Sequence, residues 1–294
     1  MKKTAVTILF SLTIAVISFS QKVPGKLIFQ QGQALGITLE VKSTVSQQAA
    51  GNAIDFTVDG TTAHSYKVTN ATDDNSTLHH DVKRITFGIE GMGPRRSFDS
   101  DNKKDLEGMF GAPVKDMLSK TFDMILDSAG KVLMVKPEKI ELTKADDRLA
   151  IVFSMLKDLT GVVYPPKKNE ASIFKILPDT AVGLNGSWNE TGMDANGKFS
   201  TAYTLSAITD SILVVDLKGN SVTNTKAEMM GMQFSTTMNN AYTGKIIIDK
   251  ASGIIKEKTI TTSSTGTAEG MGGTTPVTSK TTIVIRVNPQ ITEK

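Results

Sequence analysis

Cysteine is absent from all 294 residues, which excludes disulfides, thiol nucleophiles and thiolate metal sites. Tryptophan occurs once, at Trp188, and histidine three times, at His64, His79 and His80. Charge of either sign is not in excess, because 33 Lys and Arg stand against 30 Asp and Glu. That near-balance gives no reason to expect a nucleic acid as partner. No G-x-S-x-G, H-E-x-x-H, P-loop or dinucleotide fingerprint occurs. The glycines from Gly266 to Gly273 have no Lys and no helix after them, so they form no phosphate cradle. The expectation is a protein that is not an enzyme and carries no cofactor.

Long apolar runs are missing too, except at the start. Lys2 and Lys3 precede a mostly apolar stretch from Ala5 to Ile17, and Ser18-Phe19-Ser20 lead to Gln21. A basic start, an apolar run short for a bilayer span and small residues at the junction describe a signal peptide over residues 1–20, cut between Ser20 and Gln21. With no Cys to lipidate, the expected product is periplasmic or secreted, is not a lipoprotein and keeps no transmembrane segment. It would carry 31 basic against 30 acidic residues.

What is present is alternation. Leu35, Ile37, Leu39 and Val41 are spaced by two, as are Ile54, Phe56 and Val58, and Ile283, Ile285 and Val287 near the end. This is the period of strands with one buried face. Leu78 and Val82 are even, whereas Ile85, Phe87 and Ile89 are odd. One face can stay buried across that switch only with a β-bulge near Lys83 and Arg84. Two stretches, TFDMILDSAGKVLMVK from Thr121 and YTGKIIIDKASGIIKEKTI from Tyr242, share an apolar run, an Asp (Asp127, Asp249), a Gly (Gly130, Gly253) and a second apolar run. Both read as hairpins with an Asp-initiated, Gly-closed turn.

Helical signals are few. A short helix is expected around Pro113 to Ser119. An amphipathic one runs from Lys144 to Thr160, with Leu149, Val152, Phe153, Leu156 and Leu159 on one face and Gly161 to end it. Gly91 to Asp105 and the Gly/Thr-rich Ser263 to Ser279 read as loops, and Met229 to Met238 as a strand. The fold class is α+β, mostly antiparallel β, with two related halves of long curved strands and one amphipathic helix packed on the sheet. Residues 21–161 form the N-terminal half with helix 144–160, 162–186 a connector and 187–294 the C-terminal half.

Candidate sites compete with plainer readings. His79 and His80, adjacent on a strand, point to opposite faces and cannot easily grip one ion. The run from Asp99 to Glu107 has part of a calcium-loop spacing, but Lys103 and Lys104 stand where a carboxylate and Gly are needed. Met229-Met230-Gly231-Met232 offers thioethers suited to Cu(I), to an adaptable pocket or to core packing, the commonest use of Met. The residues assigned to a ligand lining are Met124, Met134, Phe153, Leu156, Met230 and Met232. Three Asp-Ser/Thr-apolar triplets, beginning at Asp127, Asp179 and Asp210, fit an O-glycosylation pattern.

Several stretches together resemble a known family: Lys26 to Gln30, the FDSDN of Phe98 to Asn102, Phe122 to Leu133 and Val182 to Trp188. They resemble an uncharacterised exported family of Bacteroidota, a domain of unknown function. The resemblance implies a Gram-negative envelope protein and transfers no catalytic residue. Its architecture is also loosely similar to the periplasmic half-barrels that carry lipoproteins and lipids. Two functions follow: binding of a lipid, acyl chain or peptide in a groove between sheet and helix, or a structural or interaction module with an envelope protein as partner. An enzyme of unrecognised type stands behind both.

Overall fold

A computed structural model of the chain describes residues 22–49, 52–91, 93–141, 156–194, 197–229, 232–270 and 273–290. The first half contributes β1 (Ala34–Ala49), β2 (Asn52–Ala71), β3 (Asn75–Gly91), β4 (Gly93–Asp99), β5 (Thr121–Asp127) and β6 (Val132–Lys136). The second contributes β7 (Ser187–Asp194), β8 (Gly197–Ile208), β9 (Ile212–Met229), β10 (Met232–Asp249), β11 (Ile255–Gly270) and β12 (Gly273–Gln290). These make one sheet in the order β6-β5-β3-β2-β1-β12-β11-β10-β9-β8-β7, with β4 paired to the far half of β3. Each half is an antiparallel meander, and the halves meet where β1 pairs with β12 from Ala34↔Gln290 to Gln47↔Val277. On the outer face of this joint, Arg286 donates to Glu40 at 2.5 Å and to Glu257 at 3.3 Å. These ion pairs are half-exposed, so they support register more than stability.

The expected bulge is present: Ala63 faces Arg84 and His64 faces Val82, which leaves Lys83 as the extra residue. Val82 and Ile85 are both buried as a result. Both Asp-Gly hairpins form as well. Asp127 Oδ1 accepts from the amides of Ala129 and Lys131 at 2.9 and 2.8 Å, and Asp249 Oδ1 from the amide of Ser252 at 2.9 Å. Gly130 and Gly253 sit at φ +86° and +71°, where an L side chain is strained.

Two expected loops contain regular elements instead. The described residues of Ser263 to Ser279 belong to β11 and β12, which pair from Glu257↔Arg286 to Gly270↔Gly273. Threonine's branched Cβ favours extended backbone, and the neighbouring strands supply the ladder that composition alone does not reveal. Gly91 to Asp105 contains β4 and the helix α1 (Lys103–Glu107). There Arg84 binds Asp99 through two nitrogens, at 2.6 and 3.1 Å. The expected strand from Met229 to Met238 is also divided, because β9 ends at Met229 and β10 begins at Met232. Helix α2 (Gly111–Leu118) lies where a short helix is expected. Of the amphipathic helix, residues 144–155 lie outside the described residues. Its end is α3 (Lys157–Thr160), followed by a 3-10 turn at Gly161–Val163.

The inward face is covered at one end of the strands. Residues 22–33, α3 with its 3-10 turn, and the segment from Ile173 to Val182 lie across Leu35, Ile37, Leu78, Leu205, Leu213 and Ile246, all almost fully buried. Phe174 is edge-on to Phe29 at 5.5 Å and to Tyr66 at 5.4 Å. Leu27 donates its amide to Ser128 O at 2.7 Å, and Ile28 its amide to Ser252 O at 2.8 Å. The N-terminal segment is therefore a strap between the two Asp-Gly turns. Pairing β1 outward into β12 and β2 puts both turns at the same end of the sheet.

Candidate functional site

Side chains two apart share a face of a strand, so the inward face can be followed from the covered end to the open one. In β1 it reads Leu35, Ile37, Leu39, Val41, Ser43, Val45, Gln47, changing from apolar to mixed after Val41. Its register partners in β12 change likewise, from Val287, Ile285 and Ile283 to Thr281 and Ser279. Beyond the change lies a hollow of about 490 Å³. Its lining comes from β1 and β2 on one side, β9 and β10 on the other, β11 and β12 between, and Lys157 and Asp158 of α3. Strands so far apart in one sheet meet around a cavity only if the sheet is curved.

The two sides differ in chemistry. Val45, Phe56 and Val58, continued by Ile283 and Val277, give the side of β1, β2 and β12 its apolar surface, with Ser43, Gln47, Ser279 and Thr281 interspersed. Ser221, Thr223, Asn240, Thr262 and Ser264 make the side from β9 to β11 mainly hydroxyls and amide, with Met238 and Ala268 beside them. Some of that polarity is already committed: Asn240 Nδ2 donates to Ser221 Oγ at 3.0 Å, and the Ser43 and Thr281 hydroxyls are 2.8 Å apart. Tyr242 turns its hydroxyl to Thr201 Oγ1 at 2.7 Å and lies over Gly219, where a Cβ would be 2.6 Å from its ring. Two other depressions, each of about 560 Å³, lie on the outer face. Each is lined mainly by one face of neighbouring strands, whereas the inward hollow is walled from opposite sides.

Three titratable features lie on the inward face. The first is a buried chain of polar groups beneath α3. Thr62 Oγ1 donates to the Leu159 carbonyl at 3.3 Å, so it accepts from His64 Nε2 at 2.8 Å. His64 Nδ1 then accepts from His80 Nε2 at 3.0 Å, which leaves His80 Nδ1 unprotonated. That nitrogen is buried without a hydrogen-bond partner among the described residues. Tyr66 and Phe122 lie against the His80 ring at 4.7 and 4.3 Å. Burial holds the His64 pKa down to about 4 and that of His80 to about 3, the latter lowered further by neighbouring His64.

The second feature is Tyr203, stacked on Trp188 at 5.4 Å and donating to Glu190 Oε2 at 3.0 Å. Burial, then the Glu190 charge, raises its pKa. The third is Lys258, in register with the buried Ile246 and Ile285. Burial lowers its pKa, opposed by the Glu190 charge. Lys258 makes no hydrogen bond and no ion pair among the described residues.

The residues expected to line a ligand are dispersed. Met124 is buried in the core opposite Leu78, and Leu156 is buried at the start of α3. Met134 is 55% exposed on β6. Met232 opens β10 opposite Met229. Phe153, Met230, Ser20 and Gln21 lie outside the described residues. The methionine in the hollow is Met238, and its signal was available: it shares parity with Asn240 and Tyr242 on β10. Of the histidines, His79 faces away from His80 and bonds Asp123 Oδ1 at 2.7 Å. In the calcium-like run, Asp99 binds Arg84, Asp105 Oδ2 accepts from the Asp99 amide and Asn102 caps α1. Among the described residues no three candidate ligands cluster for a metal.

Residues 73–255 match a family of unknown function, DUF6263. The chain belongs to that family. Three of the four stretches that suggested such a family, at Phe98, Phe122 and Val182, lie inside the matched region. No curated protein matches the chain. Among solved structures, lipovitellin, described for its lipid-protein interactions, is similar at a TM-score of 0.45 and 10% identity, over 91% of this chain. The chain spans only 26% of lipovitellin's length. An outer membrane channel from Pseudomonas putida F1 is similar at a TM-score of 0.26 and 8% identity, over 90% of this chain and 98% of the channel. OccK7 of Pseudomonas aeruginosa follows at 0.23 and 7%, over 90% and 100%. These likenesses assign neither a ligand nor a residue to this chain. No described helix is long and apolar enough to cross a membrane.

Proposed function

We propose that this chain is an exported, non-catalytic envelope protein that binds a single-chain amphiphile in the inward hollow. The observation that carries the reading is the double character of the hollow: Val45, Phe56, Val58, Val277 and Ile283 gather on the side of β1, β2 and β12, and the side from β9 to β11 is mainly hydroxyls and amide. Its volume, about 490 Å³, is in the range of small-molecule sites. A purely apolar ligand would leave the hydroxyls facing hydrocarbon, at a cost for each one unpaired. A sugar or free amino acid would leave Phe56, Val58 and Ile283 facing water or polar groups. An amphiphile matches both walls. Export is supported by the Lys2-Lys3 start and the apolar run after it.

The test is binding of hexadecanol to delipidated protein, followed by displacement of a neutral apolar dye and by native mass spectrometry. One saturable site is expected, with affinity at least about tenfold weaker in Thr262→Trp, which fills the hollow. Absence of saturable binding in the unaltered protein overturns the proposal.

A further inference from the structure

Lys258 poses a question that the fold does not answer. Its inward neighbours across the ladder are Ile246 and Ile285, both buried, and the next inward residue of its own strand is Ile260. Lys258 itself is half-buried, and an ammonium among apolar side chains loses hydration that no pairing among the described residues returns. Among the described residues the one electrostatic influence of opposite sign is Glu190, an exposed residue on the edge strand β7, and it forms no ion pair with Lys258. Methionine at this position would cover the same apolar surface without desolvating a charge. Ile283, in register with Ile260, lines the hollow, so Lys258 lies one inward step, roughly 7 Å of strand, below its floor. A lysine stem is long enough to cover that distance. Lys258 also stands on β11, the strand that supplies Thr262 and Ser264 to the hydroxyl wall.

We propose that Lys258 is the counter-charge for the ligand's head group, and that the ligand is a fatty carboxylate held head-down, with its chain along Val58, Phe56 and Val45. This deepens the amphiphile reading and rests on it. At the depth of Lys258 the sheet offers one ammonium, and the cation of the hollow's lining, Lys157, belongs to α3; one ammonium matches a single negative charge, whereas a phosphate draws several donors. The carboxylate would restore the missing partner, and its binding would raise the Lys258 pKa from its lowered value.

The experiment compares palmitate, hexadecanol and lysophosphatidate on the full chain, on Lys258→Met and on Lys258→Arg. The unaltered protein is expected to bind palmitate about tenfold more tightly than hexadecanol. Lys258→Met should lose that preference while keeping its hexadecanol affinity and a thermal midpoint no lower than the original, and Lys258→Arg should retain the preference. Equal affinity for palmitate and hexadecanol in the unaltered protein overturns the head-group assignment, as does an undiminished preference in Lys258→Met. Lysophosphatidate binding more tightly than palmitate overturns the carboxylate. If neither palmitate nor hexadecanol binds, the amphiphile reading itself fails, an outcome distinct from the others.

Discussion

Acidification should destabilise this fold well before its carboxylates titrate, because His64 and His80 are buried as neutral rings. Each has a folded pKa below its ordinary 6.5, at about 4 and about 3. Below 6.5 the unfolded chain therefore binds more protons than the folded one, and stability falls with pH until the folded values are reached. At about pH 5 each histidine contributes about 2 kcal/mol of that loss, so the pair accounts for about 4 kcal/mol against a typical domain stability of ~5–15 kcal/mol. The hydrogen-bond chain explains why neither ring relieves the other. Protonating His64 Nδ1 removes the acceptor for His80 Nε2, and protonating His80 Nδ1 buries a donor with no partner. Urea unfolding followed by circular dichroism at about pH 7.5, 6 and 5 measures the slope directly. The double variant His64→Gln, His80→Gln, which cannot titrate, should lose less than about 1 kcal/mol over the same interval. Parallel losses in the two proteins, or a flat profile in the original, would refute the argument.

The strap between the hairpin turns gives two further expectations. Leu27 is buried, and its side chain lies against both Gly130 and Gly253, so Leu27→Ala should cost about 2–5 kcal/mol in urea unfolding. Gly253→Ala combines a positive φ with a Cβ 2.2 Å from the Lys26 carbonyl oxygen. It should therefore destabilise by more than the ~1 kcal/mol of backbone strain alone, and a midpoint unchanged from the original would contradict the strap.

Much of the sheet was legible because burial on one side of a strand writes itself into alternation. The parity switch between Val82 and Ile85 located the bulge at Lys83, since a bulge is the local way to keep one face inward. The Asp-Gly turns were legible for a similar reason: their chemistry is contained in five residues. The Thr-rich ends of β11 and β12 were not. Their side chains meet Ser43, Asn240 and the hollow rather than a core, so the sequence there carries no apolar alternation and resembles a loop.

The candidate site was the least legible part. Methionine count pointed to Met124 and Met134, but one packs in the core and the other faces solvent, because residue type says nothing about which strand face meets which. Lys258 gave no signal at all, being one lysine among many. The sequence by itself determined that strands would dominate, where several of them turn and which side of each is buried, all of which depend on neighbours within a few residues. Only the tertiary structure decided that β1 and β12 join the halves, that the sheet curves until β2 and β9 face one hollow, and that Lys258 lies beneath it without a partner among the described residues. Those facts rest on pairings between residues some two hundred positions apart, and local patterns cannot encode which distant strand a given strand will meet.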